Sequence, residues 1–196
     1  YGIRDVAAAP ETTGIGNCAG RTRSVIGTQS RVNANIPNPV FALRNGTIGW
    51  TLAGFELDHG ASLTAGEPDG SNIATSRTRA RELADKTGVR VITVDDLQAF
   101  QREPDRTLYR LDVRSPEEYE ADHLAGFRSA PGGQLVQATD EWIAVRHGTI
   151  ILPDTDGVRA RMTGHWLRQL GWQEVYVLDN WADLEHEKGP EPALLA

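Results

Sequence analysis

Two segments of the chain repeat one order of structural elements, and this repeat constrains the fold more than any other feature. Each reads as a strand, a polar loop with glycine, a helix, a second strand, a turn and a tryptophan; they are TTGIGNCAGRTRSVIGTQSRVNANIPNPVFALRNGTIGW and GTIILPDTDGVRARMTGHWLRQLGWQEVYVLDNW. Aligning Cys18 with Asp154 also aligns Arg23 with Arg159 and, within one residue, the second strands of both copies. The sequence therefore predicts two related α/β units.

The second copy is preceded by a complete set of further elements. These are predicted as a strand at 89–94, a helix at 95–101 capped by its aspartate, a strand at 107–113, a helix starting at Ser115, an extended segment at 127–131 and a helix at 134–145. Strands that alternate with helices at this spacing are typical of a mostly parallel sheet with helices on both faces. Residues 89–196 are predicted to form one complete α/β domain.

The first copy has no room for such a front half, so the chain is predicted to begin inside a domain. Residues 1–56 are interpreted as the C-terminal half of a domain, and residues 57–88 as a linker followed by a connecting helix. Half of a parallel sheet leaves apolar faces open to water. We therefore expect residues 1–56 to be completed by a missing upstream segment of the same protein or by a swapped neighbouring chain, and to be inert until completed.

Composition limits the class of partner. The 196 residues are 39% hydrophobic and carry a net charge of −7, with no basic run that would favour nucleic acid or an acidic membrane. No stretch approaches the roughly 20 apolar residues that span a bilayer, and the start has no leader pattern. The histidines show no ligand spacing with the cysteine. We expect a cytoplasmic protein with a small-molecule partner, no metal and no cofactor.

The single cysteine, Cys18, cannot form an internal disulfide, so it is either an inert buried residue or present for its thiol chemistry. In NCAGRTRS it closes a strand and a helix follows at once. Such a loop directs backbone N–H groups and a helix N-terminus at one point above the sulfur. Arg21 and Arg23 would lower the pKa of the thiol, and the thiolate is the form that attacks sulfur. The combination favours a functional thiol.

These motifs resemble a known family. NCAGRTRS followed by PVFALRNGTIGWTLAG is similar to the second half of a rhodanese domain, and DVRSPEEYEADHLAGFRSAPGG is similar to the first half of another. The resemblance covers about residues 12–185 and implies a C-terminal fragment of a tandem rhodanese protein. It also implies a thiosulfate sulfurtransferase, in which the loop cysteine takes a sulfane sulfur as a persulfide and passes it to cyanide or another thiophilic acceptor.

The resemblance assigns roles to the loop residues. Cys18 would be the sulfur carrier, and the substrate cradle would be formed by Ala19, Gly20, Arg21, Thr22 and Arg23, with the two arginines binding the anionic donor. In the second copy Asp154 stands in place of the cysteine while Arg159 is kept. A carboxylate cannot form a persulfide, so this degenerate site is expected to be inactive, and its domain structural or regulatory.

Two alternatives stay open on the sequence alone. Dual-specificity phosphatases share this fold and use a cysteine in an arginine-ended loop, but they place five residues between the two, whereas four separate Cys18 from Arg23. The smaller loop favours a terminal sulfur over a phosphate. The other alternative is a non-catalytic rhodanese-like binding module, which is the preferred interpretation of residues 73–196 taken alone.

Overall fold

The computed structural model describes residues 9–60, 70–153 and 156–191. Contacts divide the chain into two compact units, Tyr1–Arg79 and Ala80–Ala196. The division falls inside helix α3 (Gly70–Thr87), later along the chain than the end of the predicted half-domain at residue 56. Among the described residues, no helix is long and apolar enough to cross a membrane.

The first unit is a small parallel βαβ arrangement. Besides the start of α3 it contains β1 (Gly14–Gly16), α1 (Thr22–Asn33), β2 (Val40–Ala42) and α2 (Gly46–Leu52). The two strands pair in parallel, with Gly14 opposite Val40 and Gly16 opposite Ala42, and α1 is the crossover between them. The strand before Cys18 is therefore a short, glycine-rich one.

The second unit is built on a five-stranded sheet. Its elements after α3 are β3 (Arg90–Ile92), α4 (Val94–Gln101), β4 (Leu108–Asp112), α5 (Pro116–Ala121), β5 (His123–Leu124), β6 (Arg128–Ser129), α6 (Gly132–Gln137), a 3-10 turn (Thr139–Glu141), β7 (Thr149–Pro153), α7 (Arg159–Gln169), β8 (Val175–Leu178) and β9 (His186–Glu187). The sheet order is β3-β8-β7-β4-β6 and all its pairs are parallel, while β5 and β9 form a separate antiparallel pair. The predicted parallel-sheet α/β fold is confirmed.

The central strand β7 has side chains buried on both faces of the sheet. All five of its residues are buried, and alternate side chains of a strand point to opposite faces. Ile150 and Leu152 pack in one core cluster with residues of α6 and α7, and Ile151 packs in the other with Leu97 of α4. A continuous apolar run is typical of parallel strands buried in this way.

Two helix boundaries differ from the sequence prediction. Helix α4 begins one residue earlier than expected, because the Thr93 side chain caps it and Asp96 completes a reciprocal capping box. The helix predicted at 134–145 ends at Gln137. Ala138 has φ −138° and ψ 60°, outside the helical region, and a 3-10 turn follows at Thr139–Glu141.

The DVRSPEEY motif is held by a buried ion pair. Asp112, at the end of β4, accepts hydrogen bonds from the Arg114 backbone N–H at 3.0 Å and from its Nη2 at 2.6 Å. The same Nη2 donates to the carbonyl of Asp122, and the guanidinium lies over the Trp181 ring at 5.6 Å. These charges fix the chain between β4 and β5, so their role in this unit is structural.

The two units differ sharply in how their equivalent strands are covered. The registers match, since Ile15 lies opposite Phe41 in the first unit as Ile151 lies opposite Tyr176 in the second. Ile15 and Phe41 are 66% and 59% exposed, whereas Ile151 and Tyr176 are 0% and 5% exposed. In the second unit the cover comes largely from residues 92–127. Among the described residues of the first unit, β1 pairs with β2 alone.

Candidate functional site

Cys18 lies where the sequence predicts, just beyond the C-terminal end of the parallel strand β1. It is a free thiol and is partly exposed. Open parallel sheets bind ligands at the carboxyl ends of their strands, and α1 begins at Thr22 immediately after the loop. The thiol is therefore placed to meet a ligand from solvent.

The loop rests on the first turn of α2. The Thr47 N–H donates to the carbonyl of Cys18 at 2.9 Å, and the Ile48 N–H donates to the carbonyl of Ala19 at 3.0 Å. Because a trans peptide is planar, a carbonyl that points toward α2 turns the following N–H to the opposite side. The N–H of Gly20 is thereby directed away from α2 and toward the cysteine sulfur.

Gly46 sets how closely the loop approaches α2, and sequence reasoning missed it. A Cβ at this position would lie 2.1 Å from the carbonyl oxygen of Cys18 and 2.3 Å from that of Gly20. Its φ of +57° is also a left-handed conformation that favours glycine. The Asn45-Gly46 pair directly after β2 was the available signal, since Asn-Gly marks a tight turn.

The Ser24 side chain and two backbone N–H groups act on the cysteine sulfur. Its Sγ lies 3.5 Å from the Ser24 Oγ. The pKa of Cys18 is lowered, first by the hydrogen bond with the Ser24 side chain and then by the Ser24 backbone N–H. Burial opposes this, and the Gly20 N–H and the charge of Arg23 add lowering effects that are smaller than that of burial. A lower pKa raises the thiolate fraction near neutral pH, and the thiolate is the nucleophile.

The remaining cradle residues lie on the exposed side of the loop. Arg21 is the N-cap of α1, Thr22 is its first residue, and both are exposed, as are Ala19 and Arg23. Of the N–H groups predicted to point at the sulfur, those of Gly20 and Ser24 lower its pKa. Of the two arginines predicted to lower the pKa of the thiol, Arg23 does so through its charge and Arg21 is not among the causes. Positive charge near the thiol favours an anionic ligand.

The corresponding loop of the second unit carries a carboxylate, that of Asp156, at the start of α7. Asp154 lies outside the described residues. The Asp156 Oδ1 accepts hydrogen bonds from the backbone N–H groups of Val158 at 2.8 Å and Arg159 at 3.3 Å, at the start of α7. A carboxylate thus occupies the helix N-terminus that an anionic ligand would use.

The Arg159 side chain of this loop is also bound by carboxylates within the protein. Its Nη1 and Nη2 donate to the two oxygens of Glu118 at 2.6 and 2.9 Å, and its Nε lies 3.4 Å from the Asp156 Oδ2. The hydrogen bond from Arg159 is the largest cause that lowers the pKa of Glu118 to about 2. The arginine retained in the second copy is therefore engaged within the protein. Among the described residues, no group of three or more His, Cys, Asp or Glu is placed to hold a metal ion.

The sheet and the strand-loop-helix site define a rhodanese-like α/β protein, and comparison with known proteins agrees. Residues 93–180 match the family model of the rhodanese-like domain. The resemblance drawn from the sequence is confirmed. The tandem arrangement and the fragment interpretation stay predictions.

One solved structure resembles nearly all of the chain. It is a thiosulfate sulfurtransferase from Pseudomonas aeruginosa, 53% identical with a TM-score of 0.90, and the match covers 98% of this chain and 37% of that one. This chain thus spans little more than a third of that relative. A polysulfide-sulfur transferase homodimer from Wolinella succinogenes matches at 18% identity and a TM-score of 0.45, over 63% of this chain and 94% of that one. No curated protein matches.

Proposed function

We propose that the protein is a sulfurtransferase that carries a sulfane sulfur on Cys18 as a persulfide. The observation that carries this proposal is the sulfur environment: the Ser24 hydroxyl and two backbone N–H groups lower the pKa of the chain's only thiol at an accessible loop. The likeness to the Pseudomonas thiosulfate sulfurtransferase supports the same reaction class.

The chemistry follows two steps. The Cys18 thiolate attacks the outer sulfur of a donor such as thiosulfate, the S–S bond of the donor breaks, and sulfite leaves with the electron pair. A thiophilic acceptor such as cyanide then attacks the outer sulfur of the persulfide. Thiocyanate forms, and the electron pair of the broken S–S bond returns to Cys18 as thiolate. Neither step needs an oxidant or a metal.

The loop residues have distinct tasks in this reaction. The exposed guanidinium groups of Arg21 and Arg23 would attract the dianionic donor, and Arg23 also acts on the cysteine sulfur through its charge. The N–H groups of Gly20 and Ser24 stabilise negative charge on the cysteine sulfur. Ala19 and Thr22 complete the cradle by their backbone, as the family resemblance implies.

The second unit is proposed to be non-catalytic, with a structural or regulatory role. Support comes from Arg159, whose guanidinium is bound by Glu118, and from Asp156, which occupies the start of α7. An incoming anion would have to displace these carboxylates.

Two alternative functions are weaker. A phosphatase is disfavoured because only four residues separate Cys18 from Arg23. A purely binding role for the whole chain leaves the lowered pKa of Cys18 without a use.

We also propose that a further segment, upstream in the same protein, covers the first unit; a swapped neighbouring chain is the alternative. In the second unit β4 pairs with one edge of β7, and residues 92–127 bury Ile151 and Tyr176. The equivalent Ile15 and Phe41 are mostly exposed. Leaving a few hundred Å² of apolar surface in water costs several kcal/mol at about 25 cal/mol per Å². A strand and helix equivalent to those of the second unit would remove this cost.

The test compares wild type with Cys18→Ser in thiosulfate–cyanide and phosphatase assays, alone and with the upstream segment. With the upstream segment present, we expect thiocyanate formation and a labelled persulfide from wild type, neither from Cys18→Ser, and no phosphatase turnover. Without that segment, we expect no sulfur transfer. Sulfur transfer by Cys18→Ser would overturn the proposal, as would phosphatase turnover without sulfur transfer. A cytoplasmic location and the physiological donor and acceptor stay predictions.

A further inference from the structure

The Ser24 hydroxyl lies between two partners in the Cys18 loop. Its Oγ is 3.5 Å from the cysteine Sγ and donates to the carbonyl oxygen of Arg21 at 2.9 Å. The residue is only 5% exposed, so water does not substitute freely for either partner. The same Arg21 carbonyl also accepts from the N–H of Val25 at 3.2 Å, and therefore keeps a partner if the hydroxyl turns away.

A hydroxyl has one proton to donate, and this makes the two hydrogen bonds respond to the state of the sulfur. When Cys18 is a thiol, its S–H donates to the Ser24 Oγ while the Ser24 O–H donates to Arg21. A thiolate has no proton and can only accept, so the Ser24 O–H turns toward the sulfur. In a persulfide the negative charge moves to the outer sulfur, and the hydroxyl is again released to Arg21.

The second unit gives an internal comparison for this position. The alignment that places Asp154 on Cys18 places Ala160 on Ser24, and Ala160 is 0% exposed in the core. The fold thus accepts a plain methyl group here at the start of the helix. The hydroxyl is present in the copy that has a thiol and absent from the copy that has none, so packing does not explain it.

We propose that Ser24 is a further catalytic residue, whose hydroxyl switches from the Arg21 carbonyl to the Cys18 sulfur each time the thiolate forms. This inference rests on the proposed function. In sulfur acceptance the hydroxyl raises the thiolate population near neutral pH. In sulfur release the thiolate is the leaving group, and the hydroxyl stabilises the charge that develops on it.

The charged residues near the sulfur decide how a change in its pH dependence is interpreted. Arg23 acts through its charge and Arg21 is the other ionisable residue of the loop. The α2 segment GTIGWTL that packs under the loop contributes no ionisable side chain. A change in the pH dependence of Cys18 on altering Ser24 therefore reports on the hydroxyl itself.

The experiment uses Ser24→Ala together with the near-isosteric pair Ser24→Thr and Ser24→Val, of which only threonine keeps a hydroxyl. Ser30→Ala is the control. It removes a hydroxyl of the same helix, one that donates to the carbonyl of Ile26 and not to the Cys18 loop. Cys18 is the only cysteine of the 196-residue chain, so the rate of iodoacetamide alkylation against pH reads this thiol alone.

We expect the alkylation profiles of the alanine and valine variants to move to higher pH, with several-fold slower reaction near neutrality, while threonine and the control stay near wild type. In single-turnover assays of the completed protein, acceptance by Ser24→Ala should recover at high pH, whereas release from the preloaded persulfide stays slow. A purely structural role would slow both steps at every pH.

Equal profiles for the threonine and valine variants, or an unmoved Ser24→Ala profile, would overturn the role of Ser24. That result would leave the proposed function standing, because the proposed function depends on Cys18→Ser losing transfer. Conversely, transfer by Cys18→Ser would remove the function even if the alkylation profiles move as expected.

Discussion

Replacing Arg114 by methionine should strongly destabilise the second unit. Asp112 is 1% exposed, and the substitution removes the Nε bonds to both of its oxygens at 3.0 Å and the Nη2 bond at 2.6 Å. It also leaves the Asp122 carbonyl without the guanidinium donor. Removing one partner of a buried pair costs about 3–5 kcal/mol, because the remaining charge stays uncompensated. That is a large share of the roughly 5–15 kcal/mol that stabilises a domain.

The matched control is Arg90→Met. Arg90 pairs with Glu174 at 3.0 Å, but the two side chains are 55% and 39% exposed. It also lies over the Tyr176 ring at 4.4 Å. A surface pair contributes about 0–1 kcal/mol and an exposed cation–π contact adds about 0.5–1 kcal/mol, so the expected loss is about 1 kcal/mol. The two variants remove the same charge and differ in burial.

Urea unfolding followed by tryptophan fluorescence measures the difference. Both variants are made in a Trp50→Phe background, because all remaining tryptophans then lie in the second unit. With a slope of about 2 kcal/mol per M, a loss of about 4 kcal/mol lowers the midpoint by about 2 M, and a loss of about 1 kcal/mol lowers it by about 0.5 M. A drop of about 0.5 M or less for Arg114→Met would refute the reasoning from burial.

Three further predictions concern the two loops. Gly46→Ala should abolish most sulfur transfer and slow alkylation of Cys18, because its Cβ would displace the loop carbonyls; a variant with normal transfer would show that α2 can shift instead. Glu118→Gln should reduce the loss of folding stability at acid pH. The lowered pKa of Glu118, about 2, stabilises the folded state above pH of about 4.5, and this stabilisation is lost as the pH falls toward 2. Its size is about 1 kcal/mol, because the side chain is partly exposed. Thermal melts at pH 2.5 and 7 test this, and equal pH dependence in both proteins would contradict it. Arg23→Gln should raise the KM for thiosulfate severalfold, whereas Arg159→Gln should leave it unchanged; equal effects would place the donor site elsewhere.

The repeat predicted more of the fold than the individual elements did. It depends on strands and loops, which follow apolar runs and glycine, and the registers of β1 with β2 and β7 with β8 agree with it. The tryptophan that ends each copy was a weaker guide to the alignment of the two copies. Asn45 and Asn180 share a positive φ after the second strand of their units, and counting from these strands places Gly46, not Trp50, on Trp181.

The parts that the sequence did not predict depend on contacts distant along the chain. The Cys18 loop could be recognised locally, but its floor at Gly46 lies 28 residues later and is apparent only when α2 packs under it. The occupation of Arg159 by Glu118 joins residues 41 apart, and no local pattern indicates it.

The contact between the loop and α2 bears on whether this site can be transplanted. Copying the six residues from Cys18 to Arg23 into the second unit would move the nucleophile without the surface that shapes it. The position matching Gly46 there is Trp181, which is buried, and the receiving Arg159 is already held by Glu118. The loop is therefore not a portable module. A designer who wanted two working thiols in one chain would have to rebuild the floor and release the arginine before adding the cysteine.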